Sequence, residues 1–277
     1  MNELCLARTQ WSSRVGVEEC VREFIQQRTV RKHYFGVTMS KSNLSIVHVN
    51  HQGAFIDSTQ FYQQGDKGRT FDYERDIAKL VSFTKEYFDP IPKEDEIRIC
   101  IADYDLPVKT ARQELLDAIL LAESVGAVKA ALYHYDPSLF QVKTHDAMKY
   151  MQLATRKSGV ESTILEFSRS MRASHYTRSI GSSSLSRDID EATSYLLSKY
   201  YYSLDTVSDF IQACKSHAGE SSPCRFRESF IKTYLARYCY SLTEHYQVID
   251  AQHLPFDVEM EIDRVIKQWV MECIQEL

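Results

Sequence analysis

The clearest pattern in the chain is an alternation of apolar and polar positions between Tyr34 and Ser58. Apolar residues alternate with small or polar ones over residues 35–39, and a second apolar run follows a polar turn at residues 44–49. Period-two alternation with many β-branched side chains is typical of strands. The pattern therefore predicts a strand, a tight turn, a second strand, another turn and a third short strand.

Apolar residues at helical spacing predict helices over residues 17–28, 72–88 and 108–125. Residues 97–104 (IRICIADY) form a predicted buried strand, and Gly126 is placed as the C-terminal cap of the helix that follows it. A predicted short strand comes next, at residues 127–135. Strand, helix and strand in this order predict a βαβ unit with parallel pairing.

The second half of the chain is less regular at first and then strongly helical. Residues 141–157 are mixed and polar, which suits a helix or a linker, and residues 162–180 have the pattern of a second hairpin. From Ser186 to the end, four segments carry apolar residues at i, i+3 and i+4. The tyrosines at 200–202 are interpreted as packing a helix against the sheet, with an aromatic binding platform as the alternative.

The composition narrows the class of protein. The chain has 277 residues, a net charge of −5 and an isoelectric point near 6.0, so it lacks the basic signature of a nucleic-acid binder. No apolar run approaches the length of about 20 residues that a membrane span needs. The N-terminus has no apolar signal segment, and the seven cysteines are scattered without a Cys-x-x-Cys pair. Reduced thiols and a cytoplasmic location are expected.

Other chemistry finds little support in the sequence. No histidine pair has metal or triad spacing, and His48 and His51 are interpreted as part of a solvated turn. Cys100 is expected in the core. Asp103 and Asp105 follow a strand at its C-terminal end, where α/β sites often lie, although solvation in a loop is the favoured interpretation. The basic and aromatic residues at 225–240 form an amphipathic helix face.

The turn Ser40-Lys41-Ser42-Asn43 is the first candidate for binding. Hydroxyls, an amide and an ammonium at the tip of a hairpin can hold a phosphate, and they equally suit an ordinary hydrophilic turn. Glycine argues against an extensive phosphate cradle, because the chain has only 9 glycines, roughly half the usual share of about 7%.

Three blocks, taken in order, resemble the actin/Hsp70 ATPase superfamily, and specifically the divergent Hsp70-like proteins of filamentous fungi. Residues 36–47 (GVTMSKSNLSIV) are similar to the family's first phosphate hairpin. Residues 97–137 are similar to the segment that leads to the family's Asn-Glu-Pro, which here becomes Tyr135-Asp136-Pro137. Residues 162–197 are similar to the second phosphate hairpin and the helix after it. The resemblance covers about residues 33–200.

The departures from the family pattern bear on activity. The acidic residue that the family keeps near Mg²⁺ falls on Thr38, and no glycine of the family's Asp-x-Gly-Gly-Gly-Thr remains at residues 166–171. A carboxylate survives there as Glu166, and Arg169 either reaches a phosphate or fills the cleft. Phosphoryl transfer depends on positioning and electrostatics, so hydrolysis is not expected, while weak nucleotide or anion binding stays open.

The resemblance implies an α/β protein of the actin-like ATPase (ribonuclease H-like) architecture with two lobes and a helical C-terminal part. The expected domains are an N-terminal helical extension (1–32), a first α/β lobe (33–157) and a second lobe of a hairpin followed by helices (158–277). An unrelated α/β fold is the remaining alternative.

The expected function is that of a degenerate Hsp70/actin-like pseudo-ATPase that acts through a protein partner, without nucleic acid or membrane. The alternative is an active ATPase, or another enzyme that uses the cleft for a small anionic substrate. No cofactor is required, although ATP or ADP with Mg²⁺ remains open. No catalytic residue or metal ligand is assigned, and the candidate phosphate-binding residues are Ser40, Lys41, Ser42, Asn43, Asp136, Glu166, Ser168 and Arg169.

Overall fold

The computed structural model describes most of the chain and divides it into two compact units. The described residues are 14–28, 30–40, 43–62, 73–103, 112–153, 159–171, 185–215, 223–228, 230–231 and 256–276. One unit comprises Val30–Tyr202, and the other comprises Met1–Thr29 together with Ser203–Leu277.

The first unit is built on a five-stranded mixed sheet. Its strands are β1 (Lys32–Ser40), β2 (Asn43–Val49), β3 (Phe55–Tyr62), β4 (Glu96–Ala102) and β5 (Phe140–Val142), in the order β3-β2-β1-β4-β5. The first three strands pair antiparallel, whereas β4 runs parallel to β1 and β5 runs parallel to β4. The central strand β1 is therefore the point where the antiparallel half of the sheet meets the parallel half.

The described helices lie between and after these strands. They are α1 (Arg14–Gln26), α2 (Tyr73–Phe88), α3 (Arg112–Leu132), α4 (Thr144–Tyr150), α5 (Val160–Met171), α6 (Leu185–Lys215) and α7 (Phe256–Glu276). The boundary between the two units falls within α6. Within the described part of the chain, no helix is long and apolar enough to cross a membrane.

The main core lies between the sheet and helices α2 and α3. Alternate residues of β1 and β2 point into it, together with Leu80 and Phe88 of α2 and Val125, Val128 and Leu132 of α3. Tyr34, Gly36 and Thr38 of β1 instead face the first part of α6. Both faces of the central strand are thus covered, which explains why residues 34–39 are all buried.

The second unit is helical. Phe24 of α1 packs edge-on against Phe210 of α6, at 5.2 Å between ring centroids, and Arg28 Nη2 donates a hydrogen bond of 2.8 Å to Asp209 Oδ2. Arg227 likewise donates to Glu259 of α7, at 3.0 Å. Apolar packing and buried arginine ion pairs therefore hold this unit together.

Several sequence predictions are confirmed. The three strands over residues 34–58 form the antiparallel half of the sheet, and helices occur where the apolar spacing predicted them near residues 17–28 and 72–88. Cys100 is fully buried on β4. The α/β class is also confirmed, in the form of a mixed five-stranded sheet with helices.

The predicted strand at residues 127–135 is wrong. Helix α3 continues through Gly126 to Leu132, and the strand that pairs parallel with β4 is β5. Val125, Val128 and Leu132 keep helical spacing toward the core, and a glycine inside a helix costs only about 1 kcal/mol. Core packing therefore outweighs the stop signal that Gly126 suggested, although the parallel pairing of the βαβ unit is correct.

The predicted second hairpin is also wrong. Residues 160–171 form helix α5, and residues 172–184 lie outside the described part of the chain. The apolar residues Ile164 and Phe167, with Ser168 beside them, fit one face of a helix as well as they fit a strand. The hairpin on which the two-lobed actin-like architecture depended is therefore missing from this segment.

Candidate functional site

The carboxyl end of the central strand β1 is the natural place to look for a site. In α/β sheets, ligands bind beyond the carboxyl ends of the strands, at the point where the chain connections diverge. In this sheet β1 has an antiparallel neighbour on one side and a parallel neighbour on the other. The residues at its carboxyl end, and those of the helix that covers it, define the candidate site.

Helix α6 approaches β1 unusually closely at Gly36. A Cβ atom added there would lie 1.8 Å from the backbone oxygen of Ser194 and 2.6 Å from the backbone nitrogen of Ser198. Only a residue without a side chain fits between the strand and the helix backbone. The small residues Gly36, Ser194 and Ser198 therefore allow the backbone of α6 to lie directly against the backbone of β1.

One turn of α6 closer to the carboxyl end of β1, four polar side chains contact one another through hydrogen bonds: those of Thr38, Asn43, Asp190 and Ser194. Thr38 Oγ1 lies 3.0 Å from the backbone oxygen of Asp190 and 2.8 Å from Ser194 Oγ. Ser194 Oγ also lies 3.0 Å from the backbone oxygen of Ser45. Each of these three contacts needs a donated proton, but Thr38 and Ser194 have only one hydroxyl proton each. The orientation of one hydroxyl therefore depends on the orientation of the other. Asn43 completes the cluster, because its Nδ2 donates to Asp190 Oδ2 at 2.6 Å.

The Asp190 carboxyl group is the charged member of this carboxyl-edge cluster, which we define as Thr38, Asn43, Ser45, Asp190 and Ser194. Burial raises the pKa of Asp190, and the hydrogen bond from Asn43 opposes that shift. The next residue, Glu191, accepts a hydrogen bond of 2.7 Å from Ser58 Oγ on β3. The first turns of α6 thus bring carboxylates to the sheet.

Two buried oxygens of the cluster lack hydrogen-bond partners among the described residues. They are Asn43 Oδ1 and Ser45 Oγ. Buried polar atoms are nearly always hydrogen-bonded, to protein or to ordered water. The cluster therefore has unused acceptor capacity next to the Asp190 carboxylate. Over the described ranges, however, no three His, Cys, Asp or Glu side chains form a group that could hold a metal ion.

The first predicted phosphate turn is only partly described. The backbone pairing of Ser40 with Asn43 closes the hairpin across Lys41 and Ser42, which themselves lie outside the described residues. Asn43 is buried and binds Asp190. The turn thus begins and ends at the candidate site, and its role in binding phosphate stays a prediction.

Asp136, another predicted phosphate-binding residue, is hydrogen-bonded within the sheet unit, and its contact with phosphate stays a prediction. Its carboxylate is buried and accepts three hydrogen bonds, from the backbone nitrogen of Ile99 at 2.7 Å and from the backbone nitrogen and Oγ of Ser138 at 2.9 and 2.6 Å. These bonds join the segment before β5 to the middle of β4.

The other predicted residues lie on helix α5. Glu166 and Arg169 are exposed, and Ser168 is buried with an Oγ that has no hydrogen-bond partner among the described residues. Because the segment is helical, the hairpin geometry that motivated their selection is missing. Contact of these residues with phosphate stays a prediction.

Sequence reasoning missed Asp190 and Ser194. Their signal is a line of polar residues at four-residue intervals, Asp190, Ser194 and Ser198, beside the buried apolar positions Tyr195, Leu196 and Leu197 of the same helix. That spacing marks a helix face that meets polar backbone and not an apolar core.

Among the comparisons with known proteins, only the comparison with solved structures found matches. No family model and no curated protein matches this chain. Solved structures that resemble it include Thermus thermophilus RuvC in complex with Holliday junction substrate, at 10% identity and a TM-score of 0.42, covering 64% of this chain and 97% of that chain. Another Thermus thermophilus RuvC structure matches at 10% identity and a TM-score of 0.41, covering 64% and 98%. Similarity at this level assigns no function.

The expected membership of the actin/Hsp70 superfamily is wrong. The neighbours just described are RuvC structures and not Hsp70 or actin, and helix α5 replaces the second phosphate hairpin. Both expected functions depended on that membership and are wrong as well. They were a pseudo-ATPase that acts through a protein partner and, as the alternative, an active enzyme that uses a cleft between two lobes. The exclusion of nucleic acid is corrected as well, since one of those neighbours is bound to a Holliday junction.

Proposed function

We propose that this chain is a ribonuclease H-like protein that binds nucleic acid at the carboxyl edge of its central strand. The observation that carries the proposal is the sheet order β3-β2-β1-β4-β5, with three antiparallel strands followed by two parallel ones. Strand β1 ends between an antiparallel and a parallel neighbour, and the carboxyl ends of strands are where α/β sheets bind their ligands.

The chemistry of the edge is compatible with a phosphodiester backbone. Lys41 follows the last residue of β1, and an ammonium at that position supplies the point charge that a phosphate requires. Hydroxyl and amide groups of the neighbouring residues 40–43 supply hydrogen-bond donors. The acidic net charge of the whole chain weakens long-range attraction but leaves this local contact intact.

A hard divalent cation, which nucleic-acid enzymes commonly use, finds a partial set of ligands here. Asp190 offers a carboxylate, and Asn43 Oδ1 is a buried oxygen that has no hydrogen-bond partner in the described part of the chain. Mg²⁺ is often held by one or two carboxylates, with water and substrate phosphate completing its shell. These residues would hold such an ion beside the bound strand, where it would neutralise phosphate charge. The proposal concerns binding and includes no cleavage step.

The test is fluorescence anisotropy with labelled duplex DNA, an RNA–DNA hybrid and a four-way DNA junction, with and without Mg²⁺. We expect micromolar affinity for at least one of them, with affinity falling as salt rises because counterions are released. Lys41→Glu should weaken binding about tenfold or more at low salt.

Lys85→Glu is the matched control, because Lys85 is an exposed lysine in the last turn of α2, and its neighbours Tyr87 and Phe88 pack on Phe35 in the amino-terminal half of β1. It should weaken binding much less than Lys41→Glu. A folded protein that binds none of the three probes at tens of micromolar, or equal losses in both variants, would refute the proposal.

A further inference from the structure

Helix α3 carries apolar residues on its exposed side as well as on its buried side. Val125 and Val128 pack into the core of the sheet unit. Over residues 118–132 the helix has only two charged residues, Glu123 and Lys129. A helix that is apolar around its whole circumference is normally covered on all sides, whereas one side of α3 is exposed. This side therefore has the composition of a contact surface.

Five exposed residues form one stripe along that side. Since successive residues of an α-helix are about 100° apart, all five lie within about 40° of Gly126 around the helix axis. We define the outer stripe of α3 as Ile119, Ala122, Gly126, Ala130 and Tyr133. Its two large members, Ile119 and Tyr133, are 45% and 50% exposed. A Cβ atom added at Gly126 would meet nothing within 4 Å, so the space in front of the centre of the stripe is open.

The outer stripe is symmetric about Gly126. Ile119 and Tyr133 lie seven residues before and after it, and Ala122 and Ala130 lie four residues before and after it. When two copies of α3 pack antiparallel around a two-fold axis at Gly126, Ile119 of each copy lies opposite Tyr133 of the other. The small residues between them allow the two helix axes to approach to about 8 Å. A two-fold interface needs a surface that complements itself, and the outer stripe has this property.

A cavity of about 550 Å³ lies beside the stripe, between α2 and α3. It is lined by Val81, Lys85, Asp89, Ala127, Ala130, Ala131, His134 and Tyr135. Lys85 is exposed, and among the described residues no carboxylate forms an ion pair with its ammonium. The carboxylate of Asp89 instead accepts a hydrogen bond of 2.5 Å from Tyr135 Oη. The cavity therefore presents a cation beside three alanines.

Glu123 lies on the same side of α3 as this cavity. Glu123, Ala127, Ala130 and His134 follow one another at intervals of four, three and four residues, which places them in one row along the helix. Glu123 is exposed, and it forms no ion pair within the described part of the chain. In the antiparallel pair, Glu123 of one copy lies at the level of Ala130 of the other copy, beside Lys85. Each copy thus brings a carboxylate to the Lys85 ammonium of the other.

We propose that the outer stripe of α3 joins two copies of this chain into a two-fold symmetric dimer. Ile119 of each copy contacts Tyr133 of the other, and Glu123 of each copy pairs with Lys85 of the other. The contact is that of one helix pair, about 20 Å long. An interface of this small size predicts a dissociation constant on the order of 10 µM. The proposal concerns association of the chain and does not depend on nucleic-acid binding.

The experiment is sedimentation equilibrium of the full chain at concentrations from about 1 to 100 µM, which span the expected dissociation constant. The average mass should rise from 32.1 kDa toward twice that value. Ile119→Glu places a charge in the apolar contact and should weaken association about tenfold or more. Ile56→Glu is the matched control, because Ile56 is 49% exposed and lies on β3 at the edge of the sheet. It should leave association unchanged.

A charge exchange tests the geometry of the pair. Glu123→Lys brings two cations together across the interface and should weaken association about fivefold to tenfold. The double variant with Lys85→Glu should restore association, because the ion pair is then reversed and not lost. Glu161→Lys is the control with the same change of charge, since Glu161 is an exposed residue in the first turn of α5. Restoration by the second change also shows that the single variant is folded.

Three results would overturn the proposal: a chain that stays monomeric at about 100 µM, a dimer that Ile119→Glu leaves intact, or a loss in Glu123→Lys that Lys85→Glu does not reverse. The first two would assign the outer stripe to a different occupant. Lys85→Glu alone should weaken the dimer and retain nucleic-acid binding, whereas Lys41→Glu should do the reverse. The two proposals can therefore fail separately.

Discussion

At the residue scale, Gly36 has the most demanding environment in the described part of the sheet. Its missing side chain allows the backbone of α6 to lie against β1, with Ser194 O at 1.8 Å from the position of a Cβ atom. The contact joins backbone to backbone, so neither partner can move a flexible side chain aside. The helix must shift if this residue changes.

Gly36→Ala should therefore destabilise the protein by about 3 kcal/mol or more, because α6 would have to leave the sheet. Gly126→Ala is the matched control: this glycine is exposed within α3, with nothing within 4 Å of its added Cβ. That change should stabilise the protein by about 0.5–1 kcal/mol. Urea unfolding followed by circular dichroism measures both. A loss below about 1 kcal/mol for Gly36→Ala would contradict the close contact.

Lys199 is a second residue whose environment makes a measurable prediction. Its ammonium is buried on α6, where it donates to the backbone oxygen of Gly53 at 3.0 Å and lies 5.3 Å from the ring centroid of Tyr202. No carboxylate pairs with it among the described residues. Burial lowers the pKa of Lys199 to about 8.

Because the folded-state pKa is below the usual value of 10.5, the unfolded chain binds more protons between about pH 8 and 10.5. The contribution of Lys199 to the free energy of unfolding should therefore rise with pH across this window, by up to about 3 kcal/mol. Lys199→Met should remove that rise. The measurement is the difference in unfolding free energy between wild type and variant at pH 7 and pH 9.5, and a difference independent of pH would show that Lys199 is solvated.

At the element scale, Asp136 connects the end of the βαβ unit to the sheet. Its two carboxylate oxygens accept hydrogen bonds from Ile99 on β4 and from Ser138 just before β5. The short strand β5 has only three residues, so this side chain supports its pairing with β4.

Asp136→Ala should cost about 2–4 kcal/mol, because the buried backbone N–H of Ile99 would lose its acceptor. Asp136→Asn should cost about half as much, since one amide oxygen can still accept at one of the two sites. Thermal unfolding measures the loss, and amide hydrogen exchange at Ile99 locates it. An unchanged exchange rate at Ile99 in Asp136→Ala would count against this bond.

The elements that the sequence predicted best are those whose pattern depends on neighbours close in sequence. Strands β1 to β3 are short segments rich in alternating or β-branched apolar residues and are separated by polar turns, and α2 has a clear apolar face, so both were predictable. Helix α5 and the end of α3 were not, because an apolar run of that length fits a strand or a helix until its tertiary packing is known.

The candidate site was predictable only in part for the same reason. Asn43 was selected from the turn in which it lies, whereas its partner Asp190 is 147 positions away. No local pattern joins two residues so far apart. Thr38 was noted only as a replacement for an acid, and its hydrogen bonds to α6 were unforeseeable from the strand alone.

At the scale of the whole molecule, the chain divides into a unit with the sheet and a helical unit. The carboxyl-edge cluster lies entirely within the unit Val30–Tyr202. Since a compact unit with its own core can in principle fold alone, residues 30–202 are a candidate folding unit that contains the whole cluster.

A fragment of residues 30–202 should therefore retain the sheet and the proposed nucleic-acid binding, with affinity within about threefold of the full chain. Circular dichroism tests its folding, and the anisotropy assay with the same labelled probes tests its binding. A folded fragment that has lost the binding of the full chain would place the contact surface in the helical unit.

The close contact between β1 and α6 also has a consequence during synthesis. Thr38 and Ser194 are 156 positions apart, and at translation rates of about 5–20 residues per second, roughly 8–30 seconds separate their appearance. During that interval the remaining strands are synthesised, while the helix that covers one face of β1 is still missing. Contacts between such distant positions slow folding, and a nascent sheet with an open face is exposed to aggregation. The time at which the first part of α6 leaves the ribosome therefore determines when the unit that contains the sheet can complete its fold.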